Sequence, residues 1–253
     1  EIIYGNYVVN NDGSIRWVGS NPVGVYDAYV VELDGSGHPE IVTSSAVYHS
    51  DGSVYWQDPP TGFSAPANLD GDSFPELASI RGGDLYILEH DGSIKTGPIQ
   101  IDSNGGGPPT IADVDGDGEP EICVSLFEIF AVIEKDGTIK WTQPIRDPSS
   151  YRASSTVFDF DADGRMEVLH EDEEYFRIFD GRDGSVLFER YIQSATLEEF
   201  PVVVDVDNDK SAEIIVVSNE FLAVNGAQAE KGILVFGDKN NSSVNTRKIW
   251  NQH

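Results

Sequence analysis

Cysteine is almost absent from this chain. Of 253 residues only Cys123 carries a thiol, so disulfides cannot hold the fold together. Cys123 lies in the apolar run "EICVS", with no base or cationic neighbour to activate it, and reads as a small buried hydrophobe. Basic residues are scarce as well: 16 Lys and Arg stand against 44 Asp and Glu, a formal net charge of −28. Nucleic acid and anionic membranes need a basic face, so neither is expected as a partner; cations, basic partners or a salty medium are favoured. No run approaches the roughly 20 apolar residues of a membrane span, and membrane insertion is not expected. Helical periodicity is missing. So are a nucleophile elbow and a phosphate loop; "SNGGGPPT" (Ser103–Thr110) has no following Lys and reads as a turn between repeats. Of the five histidines, His38, His49 and His90 are expected to be solvated, and the acidic run "HEDEEY" (His170–Tyr175) to be a solvated turn.

What the chain does contain is a repeat. The stretches "ELDGSGHPE" (from Glu32), "NLDGDSFPE" (Asn68), "DVDGDGEPE" (Asp113), "DFDADGRME" (Asp159) and "DVDNDKSAE" (Asp205) start 36, 45, 46 and 46 residues apart. Each ends on a Glu that leads into an apolar run, as in "EIVTS" and "EIIVVS". The opening "EIIYG" makes Glu1 the last residue of a sixth copy whose front half is missing, so the chain is expected to be part of a longer protein. A second repeat runs in phase: "NDGSIRW", "SDGSVYW", "HDGSIKT", "KDGTIKW" and "RDGSVLF". Asp-Gly between alternating apolar residues predicts a hairpin with a type I′ turn. An aromatic follows five residues after each Asp, except that Thr96 takes the place in "HDGSIKT". Each unit thus holds an acidic loop, two strands, a tight turn and a third strand, with a fourth strand ahead of the loop. Four short strands per 40–46 residues is the pattern of a β-propeller blade. The expectation is one all-β propeller domain over residues 1–253, of six four-stranded blades, or seven if a whole blade lies outside the chain.

The acidic loops carry oxygen-bearing side chains at positions 1, 3, 5 and 9, with Gly often at 6. Those residues are Glu32, Asp34, Ser36 and Glu40; Asn68, Asp70, Asp72 and Glu76; Asp113, Asp115, Asp117 and Glu121; Asp159, Asp161, Asp163 and Glu167; Asp205, Asp207, Asp209 and Glu213. Hard cations with six to eight oxygen ligands suit this alternation, and carboxylates without His or Cys favour Ca²⁺ over zinc or copper. Crowded carboxylates repel one another, and a cation makes them tolerable. An EF-hand would need Glu at position 12, where this chain has Thr43, Ser79, Val124, His170 and Val216. The complete Asp113 and Asp159 loops are expected to bind most tightly and the Glu32 and Asp205 loops most weakly. Lys210 at position 6 of the last loop would sit in a costly left-handed conformation. Five Ca²⁺ would reduce the charge only from −28 to −18.

These loops, with their "PEI"-type strand starts and "DG[ST]-x-x-W" turns, resemble the FG-GAP/VCBS repeat family of integrin α-chain propellers and secreted bacterial-type multidomain proteins. The resemblance implies a propeller with calcium loops between strands and an extracellular, secreted or surface setting. It departs at position 9, where integrin loops usually carry Asp and this chain has Glu. The function expected is a calcium-binding extracellular module, non-enzymatic, with a structural, adhesive or assembly role toward a protein, a glycan or further copies of itself. One alternative is a lectin-like propeller, in which tyrosines such as Tyr4, Tyr26, Tyr48 and Tyr151 would stack on sugars, though most of them are expected to pack within the blades. A less favoured one is a rhamnogalacturonan-lyase-like enzyme, which would need a basic cleft for a uronate. Asn240 and Asn241 each begin an Asn-x-Ser sequon, which matters only in a eukaryotic secretory setting.

Overall fold

The computed structural model describes residues 1–20, 28–57, 62–148, 150–194, 200–219 and 231–246. Among them there is no helix, and the strands form six antiparallel sheets, each a meander in chain order. The first is β1 (Ile2–Tyr4), β2 (Tyr7–Val9) and β3 (Ile15–Val18). Next come β4 (Ala28–Val31), β5 (Glu40–Thr43), β6 (Ala46–Tyr48) and β7 (Val54–Gln57), then β8 (Phe63–Ala67), β9 (Glu76–Arg81), β10 (Asp84–Leu88) and β11 (Ile94–Gln100). The fourth sheet is β12 (Thr110–Ala112), β13 (Glu121–Ser125), β14 (Ile129–Ile133) and β15 (Ile139–Pro144). The fifth is β16 (Ser155–Phe158), β17 (Glu167–Glu171), β18 (Tyr175–Asp180) and β19 (Val186–Tyr191). The sixth, among the described residues, is β20 (Val202–Val204), β21 (Glu213–Ser218) and β22 (Gly232–Phe236). One sheet per sequence repeat is a propeller-like arrangement, and the first sheet, among the described residues, has three strands. The chain divides into two compact units, residues 1–100 and 101–253.

Position 9 of each loop opens the second strand of its sheet, and those strands are buried on both faces. Strands β5, β9 and β13 show this most fully. Sheets therefore pack face to face within each unit. In the first unit Leu33, Val42 and Val47 of the second sheet meet Leu77 and Leu88 of the third. In the second unit Val114, Phe130, Val132 and Trp141 meet Val168 and Phe179, and a further cluster joins Leu169 and Phe176 to Val203, Ile214 and Val216. Cys123 is buried in the former cluster, and burial pushes its thiol far above the ordinary range.

The Asp-Gly hairpins differ from the type I′ expectation. Only their glycines (Gly13, Gly52, Gly92, Gly137 and Gly184) have positive φ; the aspartates before them do not. The Gly92 N–H closes a turn on the Glu89 carbonyl at 2.9 Å, the Glu89 N–H reaches the Ser93 carbonyl at 2.8 Å, and the register slips between Ile87 and Leu88. This is a type I turn with a bulge at the left-handed glycine. The Asp is held in place because its carboxylate accepts the N–H two residues on, as Asp91 does from Ser93 at 2.9 Å. These hairpins also form sockets for the aromatic of the preceding sheet, although the one at Gly184 is a residue longer, its Gly184 N–H reaching the Asp180 carbonyl at 2.9 Å. Trp17, Trp56 and Trp141 donate their indole N–H to the carbonyls of Ser50, His90 and Gly181, at 3.3, 2.9 and 2.8 Å. Their rings lie where a Cβ on Gly52, Gly92 or Gly184 would come within 2.8, 2.8 or 2.5 Å.

Candidate metal centres

In the second to fifth sheets the acidic loop joins the first two strands and the Asp-Gly hairpin the last two, so both lie at the same end of the sheet. Five clusters of potential ligand atoms form at the acidic loops among the described residues. They are Asp34, Glu40 and His49; Asp70, Glu76 and Glu89; Asp113, Asp115 and Glu121; Asp159, Asp161 and Asp163; Asp205, Asp207 and Glu213, each set within 4.8 Å of one another. His49 and Glu89 were not among the expected ligands. Their signal is positional: each is the residue two before the hairpin Asp, and Glu134 occupies the same place in the next repeat.

The glutamate at position 9 does the same thing in every loop. One of its oxygens accepts the backbone N–H of position 2: Leu33 to Glu40, Leu69 to Glu76, Val114 to Glu121, Phe160 to Glu167 and Val206 to Glu213, at 2.7–2.9 Å. Glu40, Glu76 and Glu121 are wholly buried and Glu213 nearly so. This clamp uses one oxygen of each glutamate and leaves the other to meet a second partner. Position 1 turns inward onto its own loop: Asp113 accepts from Gly116 at 2.7 Å and Gly118 at 2.9 Å. Position 5 caps position 7, as Asp72, Asp117, Asp163 and Asp209 accept from Phe74, Glu119, Arg165 and Ser211 at 2.7–2.9 Å.

The fate of the second glutamate oxygen separates the loops. Glu40 Oε1 lies 3.3 Å from His49 Nδ1, and Glu76 Oε1 lies 3.0 Å from the Lys95 ammonium. Glu121 Oε1 is buried and has no hydrogen-bond partner. Burial pushes the Glu121 carboxyl up to about 7, with Asp115 and Glu134 adding repulsion against the Val114 N–H and Lys140. Glu167 and Glu213 are raised for the same first reason, with the aspartates of their own loops adding to it. An oxygen-rich pocket holding a buried, unpartnered carboxylate oxygen fits a hard divalent cation. Glu121 with Asp113 and Asp115 would hold it.

Lys210 does take the left-handed conformation anticipated for it, with φ of 76° at a position where Gly37, Gly118 and Gly164 have 79°, 92° and 87°. Lys210→Gly is therefore expected to stabilise the protein by about 1 kcal/mol, read as a rise in the urea midpoint. An unchanged or lower midpoint would show that the side chain is not strained there.

Other sequence expectations fare differently. His49 and His90 are half-buried rather than solvated, His49 packing on Tyr55 and His90 stacking on Phe74 with centroids 4.3 Å apart. The run from His170 to Glu173 is buried, not a solvated turn. Asp172 explains much of this: it accepts N–H groups of Arg146, Glu174 and Tyr175 and the Arg177 guanidinium at 2.6 Å, so the carboxylate staples a tight turn. Among the tyrosines proposed for sugar stacking, Tyr48 is fully buried beneath Trp17, Tyr151 packs edge-on against Phe127, and Tyr4 is exposed; Tyr26 lies outside the described residues. Asn240 and Asn241 are exposed, and the Asn241 amide donates to Asp209 of the last acidic loop.

Comparison with known proteins agrees with this geometry. Residues 68–124, from the first residue of the second loop through the third loop, match the FG-GAP-like repeat. No curated protein matches the sequence significantly. Among solved structures, the V. cholerae biofilm matrix protein Bap1 is similar at 18% identity and a TM-score of 0.77, covering 98% of this chain and 71% of that one. The exotype rhamnogalacturonan lyase YesX has 17% identity and a TM-score of 0.57, covering 96% of this chain and 51% of that one. The corresponding values for rhamnogalacturonan lyase YesW are 14%, 0.57, 96% and 53%. The chain spans about half the length of these lyases. At such identities the likeness shows the fold, which is all-β and propeller-like.

Proposed function

We propose that the chain is a calcium-binding, extracellular β-propeller module of six blades that acts structurally, in adhesion or assembly, rather than as an enzyme. The observation that carries the reading is the position-9 glutamate. It is sealed from water, anchored by one oxygen to the loop backbone and, at Glu121, left with a second oxygen facing Asp113 and Asp115 with no partner. Leaving such a group uncompensated costs free energy, and Ca²⁺ offsets that cost. Loops of extracellular modules typically bind at ~10⁻⁴–10⁻³ M, a strength suited to external rather than cytosolic calcium. The likeness of fold to a biofilm matrix protein supports a surface or matrix setting. The partner is a protein or glycan surface, or another copy of the chain.

The test is thermal unfolding with a few mM Ca²⁺, with Mg²⁺ and with chelator. Each occupied site is expected to add on the order of 0.6–1.8 kcal/mol at a few mM Ca²⁺. At ~2–4 °C per kcal/mol for a chain of this size, two or three sites give a rise of many degrees. Magnesium should restore little of it, because it keeps its waters and demands a tighter octahedron. A melting temperature indifferent to calcium and chelator would sink the reading and the extracellular assignment with it.

A further inference from the structure

We propose that the Asp70 loop carries its own cation: the Lys95 ammonium stands where a metal ion stands in neighbouring loops, and the loop takes no calcium. The proposal deepens, and rests on, the calcium reading of the Asp113, Asp159 and Asp205 loops.

Three carboxylates, Asp70, Glu76 and Glu89, converge within 4.8 Å, and Lys95 pairs with all three. Its Nζ lies 3.0 Å from Glu76 and 3.1 Å from Glu89 and also bonds Asp70. Glu76 is wholly buried, so both of its oxygens are committed, one to the Leu69 N–H and one to the ammonium. A calcium ion bonded to the same oxygens at ~2.3–2.6 Å would have to expel the ammonium from a half-buried position. The backbone agrees. Position 6 here is Ser73, which does not adopt the positive φ seen at Gly37, Gly118, Gly164 and Lys210. Position 1 is Asn68, a neutral amide whose oxygen accepts the Gly71 N–H at 2.6 Å.

Lys95 is the residue just before the aromatic position, and the chain varies it from repeat to repeat: Arg16, Tyr55, Lys95, Lys140, Leu187. Arg16 ion-pairs with Glu1, the residue before the first strand of its own sheet. Lys140 reaches Asp115 and Glu134, at 2.6 and 2.7 Å, and leaves Glu121 Oε1 without a partner. Leu187 offers no charge. One side-chain position therefore grades the loops from self-neutralised at Lys95 to metal-dependent at Leu187.

Two variants read this directly by counting bound Ca²⁺ with native mass spectrometry and titration calorimetry. Lys95→Met empties the ammonium's place and is expected to bind one more ion than the wild type. Leu187→Lys alters a side chain that is 55% exposed, so folding is not at stake, and it is expected to weaken the binding of one ion, because the new ammonium competes for the loop's carboxylates as Lys140 does for Asp115. In chelator, Lys95→Met should melt about 5–10 °C below the wild type, and calcium should return most of the loss. If the wild type binds calcium and neither variant changes the count or the affinity, the proposal is overturned while the calcium reading stands. If the wild type binds none, the calcium reading fails, and Lys95→Met must then gain an ion for the proposal to survive.

Discussion

Replacing Trp141 with alanine is expected to cost about 3–5 kcal/mol, the range for truncating a large buried aromatic. The indole is 8% exposed and sits between Phe130 and Phe179, both ring centroids 5.9 Å away. It belongs to the cluster that joins the fourth and fifth sheets, and its N–H satisfies the Gly181 carbonyl at 2.8 Å. The socket cannot close over the gap, because Gly184 is held at φ of 73° by the turn that forms the socket. Trp141→Phe separates packing from hydrogen bonding: it keeps most of the burial, leaves the carbonyl unpaired, and should cost roughly 1–3 kcal/mol. Urea unfolding of the whole chain reads both values. A loss below about 1 kcal/mol for the alanine variant would remove Trp141 from its place as the joint between these sheets. Trp17 and Trp56, only partly buried in equivalent sockets, should cost less.

Repetition made the fold legible. One "DVDGDGEPE" would have been a turn with many readings, but five in register set the strand order, the sheet period and the burial of the second strand. The aromatic that recurs five residues after the hairpin Asp packs between sheets at Trp17, Trp56 and Trp141. Features that depend on a neighbouring segment were not legible. A type I′ turn and a bulged type I turn both favour Asp-Gly, and the choice falls to a carboxylate accepting an N–H two residues on. The second oxygen meets His49 at Glu40, Lys95 at Glu76 and nothing at Glu121, and in the first two loops the partner comes from the hairpin about 10–20 residues further along the chain. Composition made "HEDEEY" look wet. Its burial follows from Arg146 and Arg177, which supply N–H donors to Asp172 from outside the run.

In chelator, the protein is expected to become less stable as pH rises from about 5 to about 8. Glu121 carries the argument. Burial lifts its carboxyl from the ordinary 4.5 to about 7, and Glu167 and Glu213 move in the same direction. A carboxyl whose folded pKa lies above its unfolded value binds its proton more tightly in the native state. The stability this adds is fully present below the unfolded value, near 4.5, and is lost as pH climbs through about 7. Calcium reverses the demand, since it needs these oxygens ionised. The stabilisation gained on adding calcium should therefore widen between pH 5 and 8, even as the chelated protein weakens. General repulsion within a chain of net charge −28 pushes the same way, so a variant is needed to separate the two. Glu121→Gln keeps the shape and one hydrogen-bond acceptor for the Val114 N–H but cannot ionise. It should flatten the pH slope in chelator and reduce the gain from calcium, with salt screening the remainder. Melting curves at four pH values, with and without calcium, decide it. A chelated wild type that is more stable at pH 8 than at pH 5 would mean that the buried glutamates are satisfied without a cation, and that the loops need none.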